Sequence, residues 1–179
     1  MSKNFPFVQP DFFKSKKILS YQSVAGGDIN EAFQIVTEEG TYFLKQHRQP
    51  VVAKFLEVER LGLEVLRISE TIHVPIVFES GNLDGTAYLL MEYLPTVPVN
   101  RQGWENLGRQ LAAMHRVTQE SFGLNHNNFI GSLPQLNPFS SNWTEFYVTA
   151  RLQPQVRMAL DQQLLNNEDL KIFDNLFRR

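Results

Sequence analysis

The chain has 179 residues, enough for one domain with a sizeable core or for a small lobe and part of a second. A formal net charge of -2, with lysines and arginines dispersed, gives no global reason to expect nucleic acid or an anionic membrane as partner. There is no cysteine, so disulfides and thiolate–metal sites are excluded; no stretch approaches the ~20 apolar residues of a membrane span, the start lacks a signal-peptide core, and the cytoplasm is the expected compartment.

In chain order, residues 9–19 are expected to form a short helix packed on a sheet through Phe12, Phe13 and Ile18. The stretch Ser23 to Lys45, SVAGGDINEAFQIVTEEGTYFLK, then reads as an extended segment, a Gly26-Gly27 turn, a strand Ala32 to Thr37, a Glu39-Gly40 turn and a strand Thr41 to Lys45. Glycines bound each run, and β-branched and aromatic residues between them suit a pleated surface, which predicts three antiparallel strands. Strand alternation puts Lys45 on the same face as Phe43.

After Gln49-Pro50 the run VVAKFLEVERLGLEVLRI has helical spacing, with Val52, Phe55, Leu63 and Leu66 as one apolar stripe. Glu59 falls within that stripe, whereas Glu57 sits off it. A charge pointing at a core needs a partner, and Lys45 is the nearest cation in sequence; the alternative is that Glu59 lies at a solvated edge beside Arg60.

His73-Val74-Pro75 ends the pattern, and the next hairpin is predicted as strand Ile76 to Ser80, turn Gly81 to Gly85 and strand Ala87 to Tyr93. That makes five strands with one helix after the third. Strand five is nearly all apolar, as a strand buried on both sides is, and it passes into a linker at Leu94-Pro95. A helix follows from Trp104, with Trp104, Leu107, Leu111 and Met114 or His115 on one face, and His115 is read as a packed residue rather than a catalytic one. No pair of histidines has metal-ligand spacing. The long loop Ser121 to Trp143 mixes Phe, Trp and Asn, which suits either a surface that stacks and hydrogen-bonds a sugar-like ligand or a packed omega-like loop. Helices are predicted over Trp143 to Arg151, Pro154 to Leu165 and Asn167 to Phe177, the last with an uncovered face of Leu170, Phe173, Leu176 and Phe177.

A glycine turn, a lysine on the third strand and an inward glutamate on the following helix form the arrangement by which protein kinases hold ATP phosphates. In such a lobe the linker takes the adenine, with Met91 walling the pocket, the Glu92 carbonyl accepting from the amino group and the Leu94 amide donating to the ring. The motifs GGDINEAF, YFLK, ERLGL, YLLMEYL, WENLGRQLAAMH and, most specifically, FG...NNFIGSLPQLN...NW...F...RL.PQ resemble the fructosamine/ketosamine kinases, relatives of aminoglycoside phosphotransferases and choline kinases. The resemblance covers about Val24 to Gln155.

It implies an α+β, protein-kinase-like fold: an N-terminal lobe over 1–94 with a five-stranded antiparallel sheet and one inserted helix, then, over 95–179, a linker and the start of a helical lobe. It also implies ATP- and Mg²⁺-dependent phosphorylation of a sugar hydroxyl on a small-molecule or protein-bound ketosamine. Lys45 would contact the phosphates, Glu59 would hold Lys45, and the turn with Gly26, Gly27, Asp28 and Asn30 would cover the phosphates. The family's catalytic loop of the His-Gly-Asp type and its metal-binding aspartate are expected beyond Arg179, because Asp161, Asp169 and Asp174 lie in helical context. The chain alone is therefore expected to be inactive, to carry no metal ligands and to self-associate through its uncovered helices. The competing reading is a non-catalytic nucleotide-binding or self-associating module; an aminoglycoside- or choline-type kinase is a third.

Overall fold

The computed structural model describes residues 5–24, 31–48 and 50–177, leaving aside the side chains of 50–53. The chain separates into two compact units, residues 1–117 and 118–179.

In the first unit a 3-10 turn at Asp11–Phe13 precedes strands β1 (Ile18–Ser23), β2 (Glu31–Thr37) and β3 (Thr41–His47), helix α1 (Pro50–Ile68), strands β4 (Val77–Leu83) and β5 (Thr86–Glu92), and helix α2 (Arg101–Met114). The five strands form one antiparallel sheet in the order β1-β2-β3-β5-β4, so the helix-bearing crossover carries the chain from β3 past β5 to β4. This is the fold class expected. Alternation on β3 divides the sheet cleanly. Tyr42, Leu44 and Gln46 are buried on one face and Phe43, Lys45 and His47 are half-buried on the other.

The first face carries an aromatic cluster of Phe7, Phe13, Phe33, Tyr42 and Tyr88 around Ile35, Leu44 and Leu90. It is covered by the segment before β1, and here the structure departs from the expected helix over 9–19. Only one 3-10 turn forms, and Ile18 already belongs to β1. Tertiary partners hold the segment in this course. Glu79 of β4 accepts from the Phe12 N–H at 2.8 Å and from the Asp11 N–H at 3.3 Å, and Lys17 pairs with Glu38 at 3.0 Å as Lys16 does with Glu39. Gln46, only 1% exposed, accepts from the Val8 N–H at 2.9 Å and donates to Pro6 O and to Glu31. A buried amide so placed leaves few unmade hydrogen bonds and pins the leading segment to the sheet.

The second face is built on Ala87, Leu89 and Met91 of β5 and Leu56 of α1, with Phe43, Leu63 and Val77 packed against them. Strand β5 thus faces apolar partners on both sides, as its composition predicts. The β4–β5 connection is tighter than expected. Only Asp84 and Gly85 turn the chain, both with positive φ, so Gly81 belongs to β4 rather than to the turn. Gly81 pairs with Tyr88, whose hydroxyl would come within 3.0 Å and whose ring within 3.3 Å of any Cβ there. Helix α2 starts three residues ahead of Trp104, because Asn100 caps it by accepting from the Gly103 N–H at 2.9 Å. Its Trp104, Leu107 and Leu111 are exposed, and His115 is exposed rather than packed.

The second unit opens with the long loop, which proves to be knitted together. Phe122 and Ser140 exchange backbone hydrogen bonds, and a hairpin of β6 (Asn128–Ile130) and β7 (Leu133–Gln135) lies between them. Asn137, 2% exposed, donates to His126 O and Asn128 Oδ1, while its N–H donates to Asn127 Oδ1. Helix α3 (Trp143–Tyr147), a π-helical turn at Val148–Leu152 and helix α4 (Gln153–Asp161) run on without a break, followed by α5 (Asn167–Phe177). Pro154 has no N–H to give Ala150 O, and Arg151 supplies a donor to that carbonyl at 3.0 Å. The same guanidinium donates to Leu136 O and to Asn137 and lies over the Phe146 ring at 4.6 Å; burial lowers its pKa.

Tyr88 offers a test of how the leading segment is held. Its hydroxyl donates to Glu79 at 2.6 Å, and burial together with that carboxylate pushes its ionisation well above the usual value near 10. A raised value means that the folded state keeps the proton, so this stability is present below pH ~10 and lost as pH climbs above it. Tyr88→Phe should cost about 1 kcal/mol at neutral pH and flatten the alkaline loss of stability, read by thermal unfolding between pH 7 and 11. An unchanged alkaline limb would mean that the Tyr88–Glu79 bond does not form.

Candidate functional site

Lys45 sits near the end of β3, flanked in register by Ala32 of β2 and Leu89 of β5. Its ammonium donates to Glu59 Oε1 of α1 at 2.5 Å. The two side chains are 27% and 33% exposed, so the pair is half-sheltered, with one side open to solvent. The pair forms because β3 turns Lys45 toward α1 while α1 turns Glu59 toward the sheet. Leu56, 2% exposed, lies one turn before Glu59, and Leu63 lies one turn after.

The helix stripe differs by a small rotation from the one expected. Leu56 is its centre, and Leu66 is 43% exposed. Glu59 stays inside the rotated stripe because it is three residues after Leu56 and four before Leu63. Glu57 is exposed and holds Arg60 at 2.6 Å, an interaction that lowers the Glu57 pKa and raises that of Arg60, which also meets Glu64. Arg60 is thus committed to its own helix face, and Glu59 is left to Lys45.

Met91 is buried on the same sheet face as Lys45, in contact with the Leu56 cluster. Glu92 ends β5 and Leu94 is exposed in the linker beyond it. Among the described residues the Leu94 N–H meets no acceptor. The Glu92 side chain, by alternation, belongs to the face opposite Met91, where its carboxylate accepts from the Ile76 N–H. Lys45, Glu59 and Met91 therefore share one face, and Glu92 contributes to that face only through its backbone. The turn residues Gly26, Gly27, Asp28 and Asn30 lie outside the described residues.

No cluster of three His, Asp or Glu suited to a metal ion occurs among the described residues. Asp169 accepts from the Asn166 N–H at the start of α5, and Asp161 and Asp174 are exposed on helices, so none of the three is placed as a loop carboxylate. Two participants were not foreseen in the sequence. Leu56 was hidden because every residue of α1 from Val51 to Val58 except Lys54 and Glu57 is apolar or small, which blurs the stripe's phase. Gln46 next to Lys45 carries no sequence signal for burial, since glutamine usually lies outside.

The family model described as fructosamine kinase matches residues 6–178. The chain belongs to the fructosamine kinase family. The protein-ribulosamine 3-kinase of Arabidopsis thaliana, a chloroplastic protein, is 41% identical over 152 residues, which are 83% of this chain and 46% of that one. A "probable ketoamine kinase" of Synechocystis is 35% identical over 144 residues, 80% of this chain and 48% of its own. Among solved structures, a "putative fructosamine-3-kinase" from Thermobifida fusca has a TM-score of 0.77 at 28% identity, covering 91% of this chain and 56% of that one. The corresponding protein from Haemophilus somnus has a TM-score of 0.78 at 24% identity, again over 91% of this chain. This member of the family thus spans about half the length of the curated relatives it matches. No helix among its described residues is long and apolar enough to cross a membrane.

The ion pair can be weighed by a double-mutant cycle of Lys45→Met and Glu59→Gln in thermal unfolding. A half-exposed pair with good geometry should show a coupling of about 0.5–1 kcal/mol. Coupling indistinguishable from zero would mean that the two side chains do not meet in solution.

Proposed function

We propose that this chain is the nucleotide-holding part of an ATP-dependent kinase that phosphorylates a sugar hydroxyl on ketosamines, free or protein-bound. The observation that carries the proposal is the Lys45 ammonium 2.5 Å from Glu59 on the sheet face that also bears Met91. A lysine held in this way keeps a compact positive charge at a fixed place, which suits phosphate oxygens, and Glu59 prevents it from folding back along its strand. On this view Met91, buried at the end of that face, backs the nucleobase, and the open Leu94 N–H fits a ring nitrogen acceptor. In this reading Gly26, Gly27, Asp28 and Asn30 provide backbone donors over the phosphates.

Among the described residues Lys45 suits the phosphates of ATP, while the ligands for the Mg²⁺ that the family implies are expected outside them. Metal bound between terminal phosphates neutralises developing charge in phosphoryl transfer, yet no described carboxylates cluster to hold it. The chain also contains no His-Gly-Asp sequence, and Asp161, Asp169 and Asp174 are helical. We therefore expect the 179 residues alone to bind ATP weakly, with little dependence on Mg²⁺, and not to transfer phosphate.

The test is paired. Fructosyl-lysine is assayed as acceptor with this chain and with a longer form continuing through a His-Gly-Asp region, the latter also as Lys45→Ala. Turnover is expected from the longer form only, and Lys45→Ala should lower it at least about a hundredfold, the scale of one lost electrostatic contact to a transition state. Turnover by the short chain would mean that an aspartate present here is the base. Absence of turnover in the longer form would favour the non-catalytic module.

One observation supports that second reading. Of the face expected to be uncovered, Leu170, Phe173 and Phe177 are half-buried, while Leu176 and, four residues before it on α5, Ile172 are 58% and 68% exposed, and apolar side chains left in water favour association. Self-association is expected for the chain at high concentration. A clean monomer by light scattering would count against it.

A further inference from the structure

Glu92 is the last residue of β5, and strand alternation turns its side chain away from the face that carries Lys45 and Met91. On the other side it closes a small ring with the residue that leads into β4. The Glu92 N–H donates to Ile76 O at 2.8 Å, and Glu92 Oε2 accepts from the Ile76 N–H at 3.2 Å. His73 Nε2 lies 3.2 Å from the same carboxylate oxygen. Burial does not require this: the Glu92 side chain is 30% exposed and that of His73 62%, so water could serve all three groups. What the ring does is fix the direction in which the backbone leaves β5, two residues before the open Leu94 N–H.

We propose that Glu92 is a positioning residue for the nucleobase, its carboxylate bracing the linker so that the Glu92 carbonyl and the Leu94 N–H present an acceptor and a donor at fixed spacing. This rests on the nucleotide-binding reading above and adds a specificity to it. Adenine offers an amino donor and a ring-nitrogen acceptor to such an edge. Guanine puts a carbonyl where adenine has the amino group, so two acceptors would face each other. Discrimination of this kind depends on buried polar groups being held where they cannot adapt to the wrong base. Without the brace the linker shifts, the bonds to adenine weaken, and the penalty against guanine relaxes with them.

The experiment measures binding of ATP and of GTP to the chain by NMR titration, for the unaltered protein and for Glu92→Ala, Glu92→Asp and Glu92→Gln. Unaltered protein should prefer ATP by at least about tenfold, and Glu92→Ala should weaken ATP by roughly tenfold while leaving GTP within about twofold, so that the preference collapses. Glu92→Gln keeps a carbonyl oxygen for the Ile76 N–H and should stay within about threefold of the original for ATP. Glu92→Asp keeps the charge but is one methylene short, so it should behave like alanine; it also serves if Glu92→Ala does not fold. Variants that lower Tm yet leave both affinities and their ratio unchanged would overturn the proposal and leave Glu92 a structural residue. Loss in Glu92→Gln as large as in Glu92→Ala would likewise overturn it. If the unaltered protein binds neither nucleotide, the functional reading itself falls, an outcome seen without any variant.

Discussion

A cation on a sheet and a carboxylate on a helix, brought together at the edge of an apolar core, constrain most of the first unit. Lys45 cannot sit half-buried beside Leu89 and Phe43 without a partner, and Glu59 cannot sit between Leu56 and Leu63 without one. Satisfying both fixes the rotation of α1 about its axis and its height along β3. An exposed pair is worth little and a buried pair costs much in desolvation, so an intermediate one acts more as a register device than as a source of stability. That is also why the pair suits phosphate binding, since the open side of Lys45 leaves donors for a second anion.

The opposite face of the sheet solves a different problem. A five-stranded antiparallel sheet with one helix would leave its other side wet, and the chain covers that side with its own leading segment. The cover contains almost no regular structure, so its backbone groups must be met by side chains. Gln46 and Glu79 do this from below, each taking two or more groups of residues 6–12. These two anchors stand on β3 and β4, which makes the cover part of the sheet's own rigidity. The strand that presents Lys45 on one face is held on the other by its neighbour Gln46.

Much of this architecture could be read from residue patterns, for reasons that differ by element. Strand β5 was evident because six consecutive buried positions leave an apolar run that few other structures produce. Lys45 alone is an ordinary strand end, and it is Glu59 within an apolar stripe that makes the two legible as a pair. Residues 9–19 are too short a stretch for their pattern to separate a helix from a turn and strand, and Glu79, 67 residues away from Phe12, holds the segment where it lies. Gly81 misled because a glycine near Asp84-Gly85 looks like turn material, and only the Tyr88 ring beside it explains its place in a strand. Long-range partners leave little trace in local pattern, and the first error is of that kind; the second turns on a cross-strand neighbour only seven residues on.

The long loop of the second unit shows how a polar sequence can conceal an inward purpose. Asparagines between aromatics suggested either a sugar-binding surface or a packed loop, and the hydrogen bonds favour packing. Asn127, Asn128 and Asn137 bond to one another and to nearby backbone, and Arg151 closes the group from the helix side. Gly123 is required in it, since at φ +112° a Cβ would stand 2.4 Å from Pro138 O. Trp143 stacks on Tyr147 and meets Phe122, so these rings are partly spent on holding the loop to α3. Arg151 donates to two backbone carbonyls and an amide oxygen and lies over a ring face. A guanidinium can be satisfied in that way because its planar fork matches several neutral acceptors at once, and a lysine could not replace it. In this chain the asparagines and Arg151 serve first of all to fold a loop whose aromatic and aliphatic side chains are largely half-buried or exposed.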